Sequence, residues 1–470
     1  MSSRTYKDAV DHLNSLQSNA AVLEALRASG GRSSEFAIPE MLEYLGRIGY
    51  SPSDLNRLNV IHITGTKGKG STSAFTDSLI RHAMPEWKVG LYTSPHLVAV
   101  RERIRINGAP ISEEDFARFF FEIWDRLEQN DTRANPDTSA KPGYFRFLTL
   151  LAWHAFLTLK VDATILEVGV GGMYDSTNIV PKPVVTGICA LGLDHTAILG
   201  KTLAAIAWQK GGIYKEDVPA LTVNQPEEAM EVLRQQAIDH KASEFIIVPP
   251  TPGLSDIKLG LSGAHQYQNA NLAVHLAKTF LRLKTHWRPQ NGLVAARQYP
   301  IPLTNTQPGS STAHIPSRVL IVPCSVLIFN CTNGRSGKSF LAAMLAKAAA
   351  QLQLYGRSDD ASQFFDHVVF CTNVTYADGG FKGDLTTLAI PEADLAQLKT
   401  QHDLASAWSS LVPSFPNDNI HVLPSIEHAI NLVRELRSQH AEKQLDVLVA
   451  GSLHLVGGVI EVAGLSKVAL

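Results

Sequence analysis

The densest chemistry in the chain lies in one short string, Thr64-Gly-Thr-Lys-Gly-Lys-Gly-Ser71. Glycines let a backbone close around phosphate oxygens, and successive N–H groups at a helix start supply positive potential. Gly65, Thr66, Lys67, Gly68, Lys69, Gly70 and Ser71 are therefore candidate nucleotide contacts. Lys69 is placed to reach the β- and γ-phosphates, and Ser71 and Thr72 add hydroxyls. The string departs from the strict G-x-x-x-x-G-K template, because Ile63 stands where that template wants Gly. A second string, Gly334-Arg-Ser-Gly-Lys-Ser339, is also too short for the template and reads as a loop at a helix start.

Glu167 opens the next motif, Glu167-Val-Gly-Val-Gly-Gly-Met-Tyr-Asp-Ser-Thr-Asn178. A lone carboxylate at the end of an apolar strand is costly unless it is paired or holds a metal. Mg²⁺ beside a triphosphate takes one or two carboxylates plus phosphate and water oxygens, a role that suits Glu167. Asp194-His195 sits just past another strand, so His195 gains interest from its company. Lys210 precedes Gly211-Gly212, a helix stop, and by composition reads as a solvent-facing helix-end lysine. These residues together predict an ATP–Mg²⁺ enzyme and leave the reaction type open.

Strands and helices alternate in a way that would bring these residues together. Strands are expected at Val60–Thr64, Val89–Thr93, Ala163–Val168 and Val184–Leu191, and helices at Thr72–His82, Phe145–Leu159 and Thr202–Lys210. This alternation predicts a parallel sheet with covering helices, whose ligands bind at the carboxyl ends of the strands. Tyr299–Pro316 holds four prolines and no Asp, Glu, Lys or Arg, a linker composition. Alternation resumes with strands at Val319–Phe329, His367–Thr372 and Val447–Ala450 and helices at Phe340–Gln353 and Ile426–Leu436. The expected fold class is α/β: an N-terminal P-loop-type parallel-sheet ATPase domain (1–287), a divergent linker (288–318) and a smaller, Rossmann-like C-terminal α/β domain (319–470).

Composition sets the outer bounds. The 470 residues include 45% hydrophobic and 18% charged side chains, which excludes a disordered, collagenous or coiled-coil chain. With 42 basic against 44 acidic side chains, nothing points to a nucleic-acid or membrane-surface partner. Cys189, Cys324, Cys331 and Cys371 share no C-x-x-C spacing, so neither a zinc site nor a disulfide framework is expected. No apolar run reaches the roughly 20 residues of a membrane span, and no secretory signal is visible. A cytoplasmic protein is the expectation.

The motifs resemble those of the folylpolyglutamate synthase family of Mur-ligase-like amide-forming enzymes, in its eukaryotic fungal-type form. The matching strings begin at His62–Thr72, Thr93–Asn107, Tyr144–Thr149 and Glu167–Asn178. They continue through Leu191–His195, Ala207–Ile213, His265–Ala270 and Gly451–Gly458. The resemblance implies ATP-dependent γ-linked addition of L-glutamate to a tetrahydrofolate or folylpolyglutamate through an acyl phosphate. It implies that Gly65–Ser71 cradles the phosphates, that Lys69, His195 and Lys210 are catalytic, and that Ser94, Glu167 and His195 bind Mg²⁺. It further implies a carbamylated lysine at Lys210, an adenine contact at Asn269, a monovalent cation and a monomeric protein. A mitochondrial matrix pool or inner-membrane association is compatible with the family.

The pattern is broken between the two domains. The family carries Trp-Pro-Gly-Arg-x-Gln and then Asp-Gly-Ala-His-Thr there, whereas this chain runs Gly292-Leu-Val-Ala-Ala-Arg297 into the proline-rich stretch. Arg297 and Arg318 are the candidate substitutes, and Ser336 stands where the family has Asp. Dihydrofolate synthase or a specialised amide ligase is the alternative within the class, and a degenerate ATP- or folate-binding paralogue is the alternative outside it.

Overall fold

Val60–Thr64 and Ala163–Glu167 are short runs rich in β-branched and apolar residues, the composition of strands covered on both faces. In the computed structural model, which describes residues 4–18, 36–134, 138–285, 324–331, 336–354, 364–386, 395–439 and 444–466, every residue of both strands is buried. The proline-rich stretch, Arg297, Arg318, Gly334 and the first residues of the strand expected at Val319–Phe329 lie outside the described residues. The chain divides into two compact units, the first holding Met1–His96 and Arg101–Leu303, the second Leu97–Val100 and Thr304–Leu470.

The first unit is built on strands β1 (Val60–Thr64), β2 (Val89–Tyr92), β3 (Ile104–Ile106), β4 (Ala109–Pro110), β5 (Ala163–Glu167), β6 (Val185–Ile188), β7 (Ala220–Thr222) and β8 (Phe245–Ile247). Their order across the sheet is β4-β3-β2-β5-β1-β6-β7-β8, which puts β1 near the centre. From β2 to β8 the pairs are parallel, with Ile63 beside Glu167 and Thr64 beside Ile188. The parallel sheet expected from the alternation carries an addition that the alternation does not foretell: β3 and β4 form an antiparallel edge. Asn107 and Gly108 make that turn, with φ of 51° and 85°, the left-handed pair that a tight hairpin requires.

Helices cover both faces. On one, Leu272, Leu276 and Phe280 of helix His265–Lys284 pack with Ile61, Ile63, Leu91 and Ile165. Helix Tyr144–Leu159 is buried continuously from Phe147 to Leu157, as its all-round apolar surface demands. Among the described residues no helix is long and apolar enough to cross a membrane.

The second unit has a four-stranded parallel sheet, order β11-β10-β9-β12, from β9 (Cys324–Asn330), β10 (His367–Cys371), β11 (Ile420–Leu423) and β12 (Leu445–Gly451). Alternate residues divide between its faces, as the two-residue period of a strand requires. Leu327, Phe329, Val368 and Phe370 join Leu341 and Trp408 on one side. Val326, Ile328, Val369 and Cys371 join Ile426, Ala429 and Leu455 on the other.

Candidate active site at the carboxyl end of the central strand

Beyond Thr64 the chain turns through Gly65–Gly68 into helix Lys69–Ala83. Gly65 lies against β6, where an added Cβ would sit 2.6 Å from Cys189 Cβ. Gly68 has φ of 86°, and an added Cβ would run into Asn269 Oδ1. Both positions accept only glycine, for space and for their positive φ. The buried Asn269, on helix His265–Lys284, is held by a bond from its Nδ2 to Gln266 Oε1 at 2.9 Å. The implied adenine-contact position therefore abuts the loop.

The loop's amides divide into two sets. Thr66 and Lys67 both donate to the Ala190 carbonyl, at 3.0 and 3.1 Å. Thr66 Oγ1 also donates to Gly192 O at 3.0 Å. Those two amides already have an acceptor, which differs from a loop whose every N–H faces phosphate. The helix's first-turn amides, from Lys69 through Ser71, have no intrahelical acceptor, as at any helix start, and lie at the positive end of the helix dipole. Lys67 points away too: its Nζ donates to Asp194 Oδ2 at 2.9 Å, with most of its side chain exposed.

Two lysines converge on one backbone oxygen. Lys69 Nζ donates to Gly65 O at 3.1 Å, and Lys210 Nζ donates to the same atom at 2.9 Å. Lys210 is not the solvent-facing helix end that composition favours, since it is only 3% exposed. The reason is packing: the loop after Glu167 closes over its helix, and Met173 N donates to Gln209 O at 2.7 Å. Burial, followed by the neighbouring Lys69 charge, pulls the Lys210 ammonium down to about 7.

Glu167 closes the group from the neighbouring strand. It is 2% exposed and accepts a bond from Ser94 N at 3.2 Å. Burial pushes its carboxyl up to about 7, against the opposing effects of Lys69 and the Ser94 amide. Ser94 and Glu167 are thus adjacent. His195 is exposed and lies in the left-handed region at φ 49°, with its amide donating to Asp194 Oδ1 at 2.9 Å. Among the described residues no group of three or more His, Cys, Asp or Glu side chains is gathered to hold a metal ion. Gly70 and Ser71 lie in the first helical turn, and a Cβ at Gly70 would come 3.8 Å from Glu167 Oε2.

Several groups here escape a motif reading. Ala190 contributes only a carbonyl, which carries no side-chain cue. Cys189 packs under Gly65, with its Sγ donating to Thr72 Oγ1 at 3.3 Å and its thiol pushed up to about 11 by burial. Asp175 is buried and takes bonds from Thr177 N at 3.0 Å, Thr177 Oγ1 at 2.7 Å and Val170 N at 3.1 Å. Its cue in the sequence is an acid inside a glycine-rich strand exit.

A central strand opening into a lysine-bearing glycine loop, beside a buried acid and a desolvated lysine, defines a nucleotide-using α/β enzyme. Known proteins narrow that class. The folylpolyglutamate synthase of Saccharomyces cerevisiae is 41% identical over 498 residues, spanning 98% of this chain and 87% of its own. That of Neurospora crassa is 40% identical over 495 residues, spanning 98% and 91%. The chain belongs to the folylpolyglutamate synthase family. No protein-family model matches it. In fold it is similar to Mycobacterium tuberculosis folylpolyglutamate synthase complexed with ADP and AMPPCP, at TM-score 0.65, 24% identity and coverage of 95% and 98% of the two chains. It is likewise similar to an FPGS–AMPPCP–folate complex, at TM-score 0.60, 22% identity and coverage of 98% and 99%.

Proposed function

We propose that this chain joins L-glutamate in γ-linkage to the glutamate tail of a folate, with ATP as co-substrate. The γ-carboxylate oxygen attacks the terminal phosphorus of ATP, releasing ADP and leaving an acyl phosphate. The amine of the incoming glutamate then attacks the acyl carbon. The C–O bond to phosphate breaks, the nitrogen gives up a proton, and an amide and inorganic phosphate result. The observation that carries the reading is the convergence of Lys69 and Lys210 on Gly65 O, within a chain 41% identical to a folylpolyglutamate synthase.

Each residue has a task set by its chemistry. The first-turn amides of helix Lys69–Ala83 receive phosphate oxygens, and Lys69 neutralises the charge that develops on the transferring group. Asn269, against Gly68, supports adenine recognition. Glu167 and the Ser94 hydroxyl are oxygen donors of the kind Mg²⁺ prefers, and a buried carboxylate gains most from a nearby cation. Bound there, Mg²⁺ would offset phosphate charge, with His195 as the third ligand that the family resemblance implies. Lys210, lowered to about 7, presents a sizeable fraction of neutral amine near neutral pH. That is the form that adds CO₂, losing a proton to give an anionic carbamate.

Purified protein incubated with Mg-ATP, a tetrahydrofolate monoglutamate and labelled L-glutamate should yield lengthened γ-glutamyl products and ADP in equal amounts. ATP binding without any labelled product would overturn the ligase reading and leave a binding paralogue.

A further inference from the structure

Beneath the loop that follows Glu167 runs a chain of buried polar groups that phosphoryl transfer does not use. His62, in the middle of β1, is fully buried, and its Nε2 lies 2.9 Å from Thr177 Oγ1. Thr177 Oγ1 in turn donates to Asp175 Oδ1 at 2.7 Å. That bond commits the hydroxyl proton to Asp175, so Thr177 is the acceptor from His62, and His62 carries its proton on Nε2. The other ring nitrogen, Nδ1, is buried without a hydrogen-bond partner among the described residues. Burial keeps the ring neutral, its pKa lowered to about 3, with Lys215 adding to the effect.

At the far end Asp175 grips backbone. Its Oδ1 takes Thr177 N and its Oδ2 takes Val170 N. The loop it grips is pinned on both flanks. Thr64 Oγ1 donates to Gly171 O at 2.7 Å on the β1 side. Asn178 Nδ2 donates to Gly212 O at 3.0 Å on the side of the Lys210 helix. Gly172 packs so tightly there that an added Cβ would lie 2.7 Å from Gln209 O. A buried, half-satisfied histidine in a central strand is unfavourable compared with an apolar residue of similar size. What its satisfied nitrogen holds supplies the compensation.

We propose that His62 is a positioning residue: through Thr177 and Asp175 it fixes the glycine loop that sets Glu167 and the Lys210 helix end against the phosphate loop. The inference rests on the ligase reading for its kinetic readout only. It predicts that His62→Leu and Thr177→Val each lower kcat on the order of 10–100-fold while the KM for ATP stays put. The double variant should be no worse than the poorer single one, because both break one chain. His62→Gln, whose amide N–H can take the place of Nε2–H, and Thr177→Ser should recover most of the rate. Amide hydrogen exchange over residues 169–173 should quicken in His62→Leu and Thr177→Val and return towards wild type in the two conservative variants.

Exchange is read without turnover. Wild-type protein that fails to ligate would sink the ligase reading, while the exchange data would still decide the relay. If His62→Leu does not fold, Thr177→Val, which removes only the hydroxyl link, carries the test. Unchanged kcat and unchanged loop exchange in Thr177→Val would overturn the proposal, as would a His62→Gln variant as slow as His62→Leu.

Discussion

Replacing Lys210 with Met should stabilise the protein near neutral pH while removing ligase activity. The folded chain holds this lysine at about 7, against 10.5 for a free lysine. Between those values the unfolded chain binds a proton that the folded chain does not, so stability rises with pH across that window. At 1.36 kcal/mol per unit, Lys210 costs at most about 4 kcal/mol at pH 7 and about 2 at pH 9. Met fills similar space without charge. It leaves no orphan behind either, because Gly65 O keeps Lys69 Nζ at 3.1 Å. The measurement is urea unfolding of both proteins at pH 7 and pH 9, in bicarbonate-free buffer so that wild-type Lys210 stays unmodified. The advantage of Lys210→Met should shrink by about 2 kcal/mol between the two pH values. Any difference that comes from packing alone is independent of pH. A constant offset, or a variant less stable at both pH values by the same amount, would refute the claim that Lys210 is held neutral by burial.

Other perturbations give equally direct readings. Gly68→Ala puts a side chain at φ 86° and into Asn269 Oδ1; at about 1–3 kcal/mol of strain, ADP affinity by calorimetry should fall about tenfold or more. Lys69→Ala should abolish nucleotide binding in the same assay, and an unchanged affinity would show that the loop does not hold phosphate. Glu167, pushed up to about 7, lets the folded chain bind more protons than the unfolded one between about 4.5 and 7, so its contribution to stability falls as pH rises through that window. Glu167→Gln should therefore gain stability relative to wild type across that range and lose Mg²⁺-dependent turnover. Trp408→Ala empties a fully buried site in the second unit and should cost about 3–5 kcal/mol in that unit's unfolding.

What could be read from the chain follows from how local each signal is. Val60–Thr64 ends where its apolar run meets Gly65, because strand composition and a glycine break are both short-range. Helix Tyr144–Leu159 declares itself through apolar residues on every side. The antiparallel edge carries a local cue as well, Asn107-Gly108, set within a strand–helix alternation that points to parallel pairing. Lys210 is different. Its own neighbourhood reads as an exposed helix end, and it is buried only because residues more than thirty positions earlier fold over it, with Met173 N bonded to Gln209 O. The division of loop amides has the same origin, since it depends on where the backbone oxygen of Ala190 comes to lie. The Ser94–Glu167 contact joins the ends of two expected elements, so it follows once β2 and β5 are paired; the orientation of His195, set by a left-handed backbone residue, does not.

The bond from Thr66 N and Lys67 N to Ala190 O also bears on how a nucleotide arrives. Two of the loop's amides are already tethered to the chain's own backbone, so less backbone freedom should be lost when a phosphate binds there as proposed. Association should then be limited by diffusion and orientation rather than by loop folding. If Lys69 and the first-turn amides hold phosphate as proposed, a loop without this tether should bind nucleotide more weakly for entropic reasons, because it would have to be ordered each time.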